Sequence, residues 1–263
     1  MFMKHFINGI QLNVREQGSG PMTLIFLHYF GGSALEWQSV MNLLSDRYRC
    51  VAVDLRGFGD SEAPDTGYSV GDMAEDITCL VQKLGIQNFA LVGHSMSGKV
   101  ALLVAAQQAT RAELAGLQAL VLLSPSPPVP EPIPDDERQK LLTGHGQRAS
   151  AEQTLKNITA KPISDTAREQ IIADDLRSAR PAWEAWLQEG SLETISDCMS
   201  SIQVPVSILV GSDDQALPPE VQSELVLPYV PQATVDIVPG AGHLLPWEVP
   251  DVVAAFISKK IAD

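Results

Sequence analysis

The stretch GHSMSGKVA, residues 93–101, places two serines, Ser95 and Ser97, two positions apart. A serine hydroxyl attacks a carbonyl only when a base within hydrogen-bond reach takes its proton. The base in turn needs an acid to hold its tautomer and stabilise its cation. Five histidines are available, and His243 lies in the glycine-containing stretch VPGAGHLLPWEVP. Two adjacent acids, Asp213 and Asp214, lie in VGSDDQALP. Acting together, one residue of each type could carry out nucleophilic acyl transfer.

What would position them shows in the apolar patterning. NFALVG (88–93) predicts a buried strand, and GKVALLVAAQQA (98–109) a helix apolar nearly all round, hence packed against a sheet. Both serines fall at the corner between the two. Residues two before and two after a nucleophile on so tight a strand-to-helix corner must be small. Around Ser95 these are Gly93 and Ser97; around Ser97 they are Ser95 and Lys99, and a lysine does not fit. Ser95 is therefore the candidate nucleophile.

Further apolar runs of strand length are MTLIFLH (22–28), RCVAVD (49–54), QALVLLS (118–124), VPVSILVG (204–211) and ATVDIV (233–238). A hairpin is predicted for Phe2–Asn8 and Leu12–Gln17 around NGIQ. SALEWQSVMNLL, with Ser33 as N-cap, and SVGDMAEDITCLVQKLG read as helices between strands. Strands alternating with helices predict an α/β fold with a mostly parallel sheet covered on both faces. The alternation breaks from Pro125 to about Gln203, where a proline-dense lead is followed by helical patterns such as DTAREQIIADDLRSA and RPAWEAWLQEG. Residues 125–203 are expected to form a helical cap inserted into a core of 1–124 and 204–263.

These motifs resemble the α/β-hydrolase family, whose elbow reads G-x-S-x-G; here Ser97 replaces the last glycine. The resemblance implies an eight-stranded sheet, antiparallel only near its start, with a lid. It implies that His243 is the general base and that Asp214 orients it, since Gly211, Asp214 and Pro218 match the family's G-x-x-D loop and its following proline. It implies an oxyanion hole from the backbone N–H groups of Met96 and Phe30, with Tyr29 standing where glycine is usual in LHYFGGS. His28 and His94 match structural positions, as do Asp54, Arg56 and Asp60 of DLRGFGDS, while His5 and His145 are expected at the surface. Tyr29, Leu244 and the cap residues Trp183 and Trp186, three apart on one helix face, are the expected substrate contacts. The implied activity is hydrolysis of a small carboxylic ester or lactone. Dehalogenases and epoxide hydrolases of this fold carry aspartate at the elbow. Relatives with the serine constellation also include cofactor-free haloperoxidases, hydroxynitrile lyases and ligand receptors.

Composition bounds the partners. Hydrophobic residues make up 45% and charged residues 19%, which suits a globular chain rather than a disordered one. A net charge of −14 repels phosphate backbones and anionic lipid, so neither nucleic acid nor membrane is expected as a partner. No apolar run reaches the roughly 18 residues of a membrane span, and a cytoplasmic location is expected. Cys50, Cys79 and Cys198 form no C-x-x-C pair, so neither a disulfide framework nor a zinc site is expected, and no cofactor is implied. No oligomeric state follows from the sequence.

Overall fold

The computed structural model describes residues 2–262. Eight strands form one sheet in the order β1-β2-β4-β3-β5-β6-β7-β8. The hairpin β1 (Phe2–Ile7) and β2 (Ile10–Gln17) is antiparallel, and β2 joins β4 (Arg49–Val53) in the same sense. The strands β3 (Thr23–Leu27), β4, β5 (Phe89–His94), β6 (Leu117–Leu123), β7 (Val206–Gly211) and β8 (Thr234–Val238) run parallel. This is the sheet expected for the α/β-hydrolase fold.

The apolar runs form strands because both of their faces are covered. Side chains alternate between faces along a strand. Ile25 and Leu27 accordingly join one buried cluster, and Leu24 and Phe26 the other. The helices α2 (Val70–Lys83) and α3 (Met96–Gln107) cover the first face, while α1 (Gln38–Leu44) and the last helix, Pro250–Ala262, cover the second. Sequence patterning joined residues 33–44 into a single helix. The structure divides them into a 3-10 turn, Ala34–Trp37, and then α1. Ser33 caps the turn by accepting the Leu35 N–H at 3.2 Å.

Between β6 and β7 the chain leaves the sheet. It forms α4 (Asp135–Gly144), α5 (Arg148–Ile158), α6 (Asp165–Arg177) and α7 (Arg180–Gln188). The helix α4 buries none of its residues, so its polar sequence carries little periodic signal. By contrast α7 buries Ala182, Trp183, Trp186 and Leu187 against the main cluster. No helix among the described residues is long and apolar enough to cross a membrane.

The sheet order also fixes where a site can form. From β3 the chain passes to β4 on one side and then to β5 on the other. The carboxyl ends of β3 and β5 therefore flank a crevice of the kind that binds ligands in open α/β sheets.

Candidate active site

Ser95 sits at that crevice, on the corner between β5 and α3, with φ 54° and ψ −120°. A non-glycine residue at positive φ costs of order 1–3 kcal/mol and persists only where its surroundings over-determine it. Here they do. The Ser95 N–H extends the β5–β6 ladder to Leu123 O at 2.9 Å, and its carbonyl accepts the N–H groups of Gly98 (2.8 Å) and Ser126 (3.0 Å). A Cβ at Gly93 would lie 2.7 Å from Ser97 O and 3.0 Å from Ala101 Cβ, so no larger residue fits two positions before Ser95.

The second serine has a different task. Ser97 is fully buried. Its Oγ lies 2.8 Å from Leu27 O and 3.0 Å from His94 O, and it accepts the His94 N–H at 3.1 Å. The hydroxyl that replaces the elbow glycine thus ties α3 to the end of β3. Glycine is needed one residue later, where a Cβ on Gly98 would lie 2.5 Å from Pro125 Cβ.

Asp214 follows β7 and His243 follows β8. His243 Nδ1 lies 2.8 Å from Asp214 Oδ2, which leaves Nε2 available as an acceptor once Nδ1 donates to the carboxylate. Asp214 Oδ1 accepts the N–H groups of Ala216 (2.8 Å) and Leu217 (2.9 Å), whereas the neighbouring Asp213 is exposed and holds Ser212. Burial by itself raises the Asp214 carboxyl. The His243 charge and hydrogen bond, with the Leu217 N–H, outweigh it and bring the pKa down to about 2. For His243, burial is the largest influence and lowers the pKa. Asp214, Glu131 and Glu36 together override it and raise the imidazole above its ordinary value.

The His243 loop is held from both sides. The His243 N–H donates to Ile158 O at the end of α5 (2.8 Å), and its carbonyl lies 2.9 Å from His94 Nε2. Glu248 Oε2 accepts from Gly242 N (2.9 Å), Ala160 N (3.0 Å) and Lys161 N (2.7 Å), and Oε1 from Leu244 N (3.1 Å). His94 Nδ1 also lies 2.5 Å from Glu36 Oε1, and Glu36 Oε2 accepts the Tyr29 N–H at 3.1 Å. Sequence reasoning did not single out Glu36 or Glu248. Their signal is an acid amid apolar neighbours in SALEWQSV and LLPWEVP.

Tyr29 is accommodated by a glycine three positions on. A Cβ at Gly32 would lie 2.6 Å from Tyr29 Cε1, so the ring folds back over that position, and Gly32 N–H donates to Tyr29 O at 3.0 Å. His28 lies beneath, its Nδ1 2.7 Å from Tyr29 O and its Nε2 accepting the Leu55 N–H at 3.0 Å. In the DLRGFGDS turn, Asp54 accepts from Ala34 N, Asp60 N and Asn13 Nδ2, whereas Arg56 pairs with Asp76. Asp60 reaches out to Arg177 of α6 at 2.6 Å. His5 and His145 are both half-buried rather than fully exposed, and His145 Nε2 meets Ser178 O at 2.8 Å.

Ser95, His243, Tyr29, Phe30 and Trp186 all line one cavity of about 760 Å³ between the sheet rim and the inserted helices. Two expected substrate contacts do not line it. The Trp183 ring stacks behind Phe30, 4.2 Å between centroids, and its Nε1 donates to Leu141 O at 3.0 Å. It lines a smaller neighbouring cavity with Asp175. Leu244 is fully buried in a cluster with Tyr29, Leu155 and Ile172, because Glu248 holds its backbone against the insertion. Met96 opens α3, where first-turn amides lack an intrahelical acceptor. Among the described residues no group of three or more His, Cys, Asp or Glu side chains is placed to hold a metal ion.

Another residue missed by sequence reasoning binds the insertion to the elbow helix. Lys99 is fully buried in α3, and its Nζ donates to the carbonyls of Val129 (3.1 Å), Gly190 (3.4 Å), Ser191 (3.2 Å) and Glu193 (3.0 Å). Burial brings its pKa down to about 8, against the charges of Glu131 and Glu193.

The comparisons agree with this architecture. The esterase EaEST from Exiguobacterium antarcticum superposes with a TM-score of 0.89 at 23% identity, covering 100% of both chains. The non-heme haloperoxidase of Rhodococcus erythropolis is 28% identical over 253 residues, 90% of each protein. The 2-(acetamidomethylene)succinate hydrolase of Mesorhizobium japonicum is 42% identical over 101 residues, 38% of this chain. That last match spans only 36% of the relative's own length. Residues 24–256 match the model of the alpha/beta hydrolase family, and the chain belongs to that family.

Proposed function

We propose that the protein is a serine hydrolase of small carboxylic esters or lactones, with Ser95 as nucleophile, His243 as base and acid, and Asp214 orienting His243. The observation that carries this reading is a strained serine and a carboxylate-paired imidazole opening into one cavity. Ser95 Oγ attacks the acyl carbon while its proton passes to His243 Nε2. The N–H groups of Met96 and Phe30 receive the oxyanion, each such donor being worth about 10² to 10³ in rate. The imidazolium, stabilised by Asp214, then protonates the leaving alkoxide as the C–O bond breaks. Water, deprotonated by His243, releases the acid and restores Ser95. The inserted helices act as a cap that sets which acyl and alcohol groups fit.

The test is covalent labelling. Wild-type protein should react with a fluorescent organophosphonate and hydrolyse p-nitrophenyl acetate. Ser95→Ala should lose the label and about 10⁴-fold or more of kcat/KM. A Ser95→Ala protein that is still labelled at full stoichiometry overturns the assignment.

A second reading is favoured by the likeness to the haloperoxidase along 90% of both proteins. Hydrogen peroxide in place of water would attack the same acyl-enzyme and yield a peracid and free Ser95. Peracid formation from acetate esters in peroxide, absent in Ser95→Ala, distinguishes it from plain hydrolysis.

A further inference from the structure

The charges around the cavity are one-sided. Three carboxylates, Glu131, Asp136 and Glu137, line it, and no lysine or arginine does. The nearby cations are already engaged, Lys140 with two of those carboxylates and Lys99 over the ring of Trp186, 5.8 Å from its centroid. Lys99 Nζ is held by four carbonyls, Arg138 donates to Leu187 O and Ser191 Oγ, and Lys140 bridges Asp136 (2.9 Å) and Glu137 (3.5 Å). Glu131 lines the same cavity as Ser95 and His243, and the described residues offer its buried Oε2 no hydrogen-bond partner. Its backbone is fixed all the same, with N–H to Ser191 O at 2.7 Å and carbonyl to Ile133 N at 2.8 Å. Three aromatic rings, Tyr29, Phe30 and Trp186, share the lining. Aromatic faces beside a buried carboxylate oxygen that receives no hydrogen bond make a site for an organic cation.

We infer that the substrate is an ester carrying an ammonium group on its acyl or alcohol arm, with Glu131 as counter-ion and the Tyr29, Phe30 and Trp186 rings enclosing the cation. This rests on the hydrolase reading and adds the substrate's charge to it. A substrate carboxylate in the same place would meet Glu131 with no guanidinium or ammonium to receive it. The net charge of −14 also draws cations toward the protein at low salt.

Burial pushes the Glu131 carboxyl above the ordinary carboxylate range, while Ser126 and the charges of Lys99, His243 and Arg138 pull the other way. A bound ammonium favours the ionised form further. Cation uptake therefore releases protons at any pH where the empty site is partly protonated.

Two measurements decide. The first compares kcat/KM for the acetate ester of choline with that for its uncharged isostere, 3,3-dimethylbutyl acetate. The wild-type ratio should exceed about tenfold, and Glu131→Gln should reduce it by about tenfold or more. The second is calorimetric binding of phenyltrimethylammonium, which needs no turnover. Binding should weaken by about tenfold or more in Glu131→Gln and release protons in the wild type. Should Glu131→Gln fail to fold, Trp186→Leu supplies the same two readouts. Hydrolysis of both esters at equal rates, with no phenyltrimethylammonium binding, overturns the cation site and leaves the hydrolase standing. Glu131-dependent binding without hydrolysis of any ester does the reverse.

Discussion

The two walls of the cavity are built by different means. On the sheet side, Ser95, Asp214 and His243 follow the ends of β5, β7 and β8, and Asp214 and the backbones around Ser95 and His243 are pinned by short hydrogen bonds. On the inserted side, Glu131, Ile133 and Trp186 come from a proline-rich lead and a helix, and Glu131 keeps a buried oxygen without a partner. Backbone pinned in this way holds a fixed geometry, as proton transfer requires. An incompletely paired wall leaves its polar capacity to whatever enters. Under the proposed function, the contrast gives bond-breaking to the sheet and selection to the insertion.

The sharpest way to break that division is to disturb the sheet wall. Asp214→Asn keeps the shape and removes the charge, and kcat should fall by about 10³ to 10⁴, with KM much less affected. An equal loss in KM alone would mean that Asp214 serves binding. Next comes pH. The base must be neutral, so kcat/KM should fall about tenfold per unit as pH drops below a value above about 6.5, the ordinary imidazole pKa. A rate independent of pH down to 5 would remove His243 from the chemistry.

The same pair contributes to stability with opposite signs. Asp214, lowered to about 2, stabilises the fold above roughly pH 4, and the gain is lost as pH falls through that lowered value. His243, raised, stabilises the fold fully below its unfolded value, and the gain is lost as pH climbs through its folded value. The smallest effect is expected at the other serine. Ser97→Ala should retain phosphonate labelling while unfolding about 1–3 kcal/mol more easily in urea, because the Leu27 carbonyl and the His94 N–H lose their partner.

What the sequence makes legible is local. The β5–α3 corner follows from an apolar run, two small residues and a second apolar run, and the strand ends that carry Asp214 and His243 follow from similar runs. What it hides depends on packing between distant segments. Nothing in the spacing of Trp183 and Trp186 says that Phe30 comes between one of them and the cavity. Leu244 adjoins His243 in sequence yet packs into the α5 and α6 cluster, because Glu248 turns the loop. Nothing in the local sequence around Lys99 and Glu131 says that the insertion's return leg closes over them.

The His243 N–H is satisfied by a carbonyl of the inserted segment, Ile158 O at the end of α5. Grafting a foreign set of helices onto this sheet must therefore supply an oxygen at that spot, or strand a buried donor at about 1–3 kcal/mol. If the proposed division holds, exchanging the selective half while leaving the chemical half untouched requires keeping a backbone carbonyl where the two are stitched together.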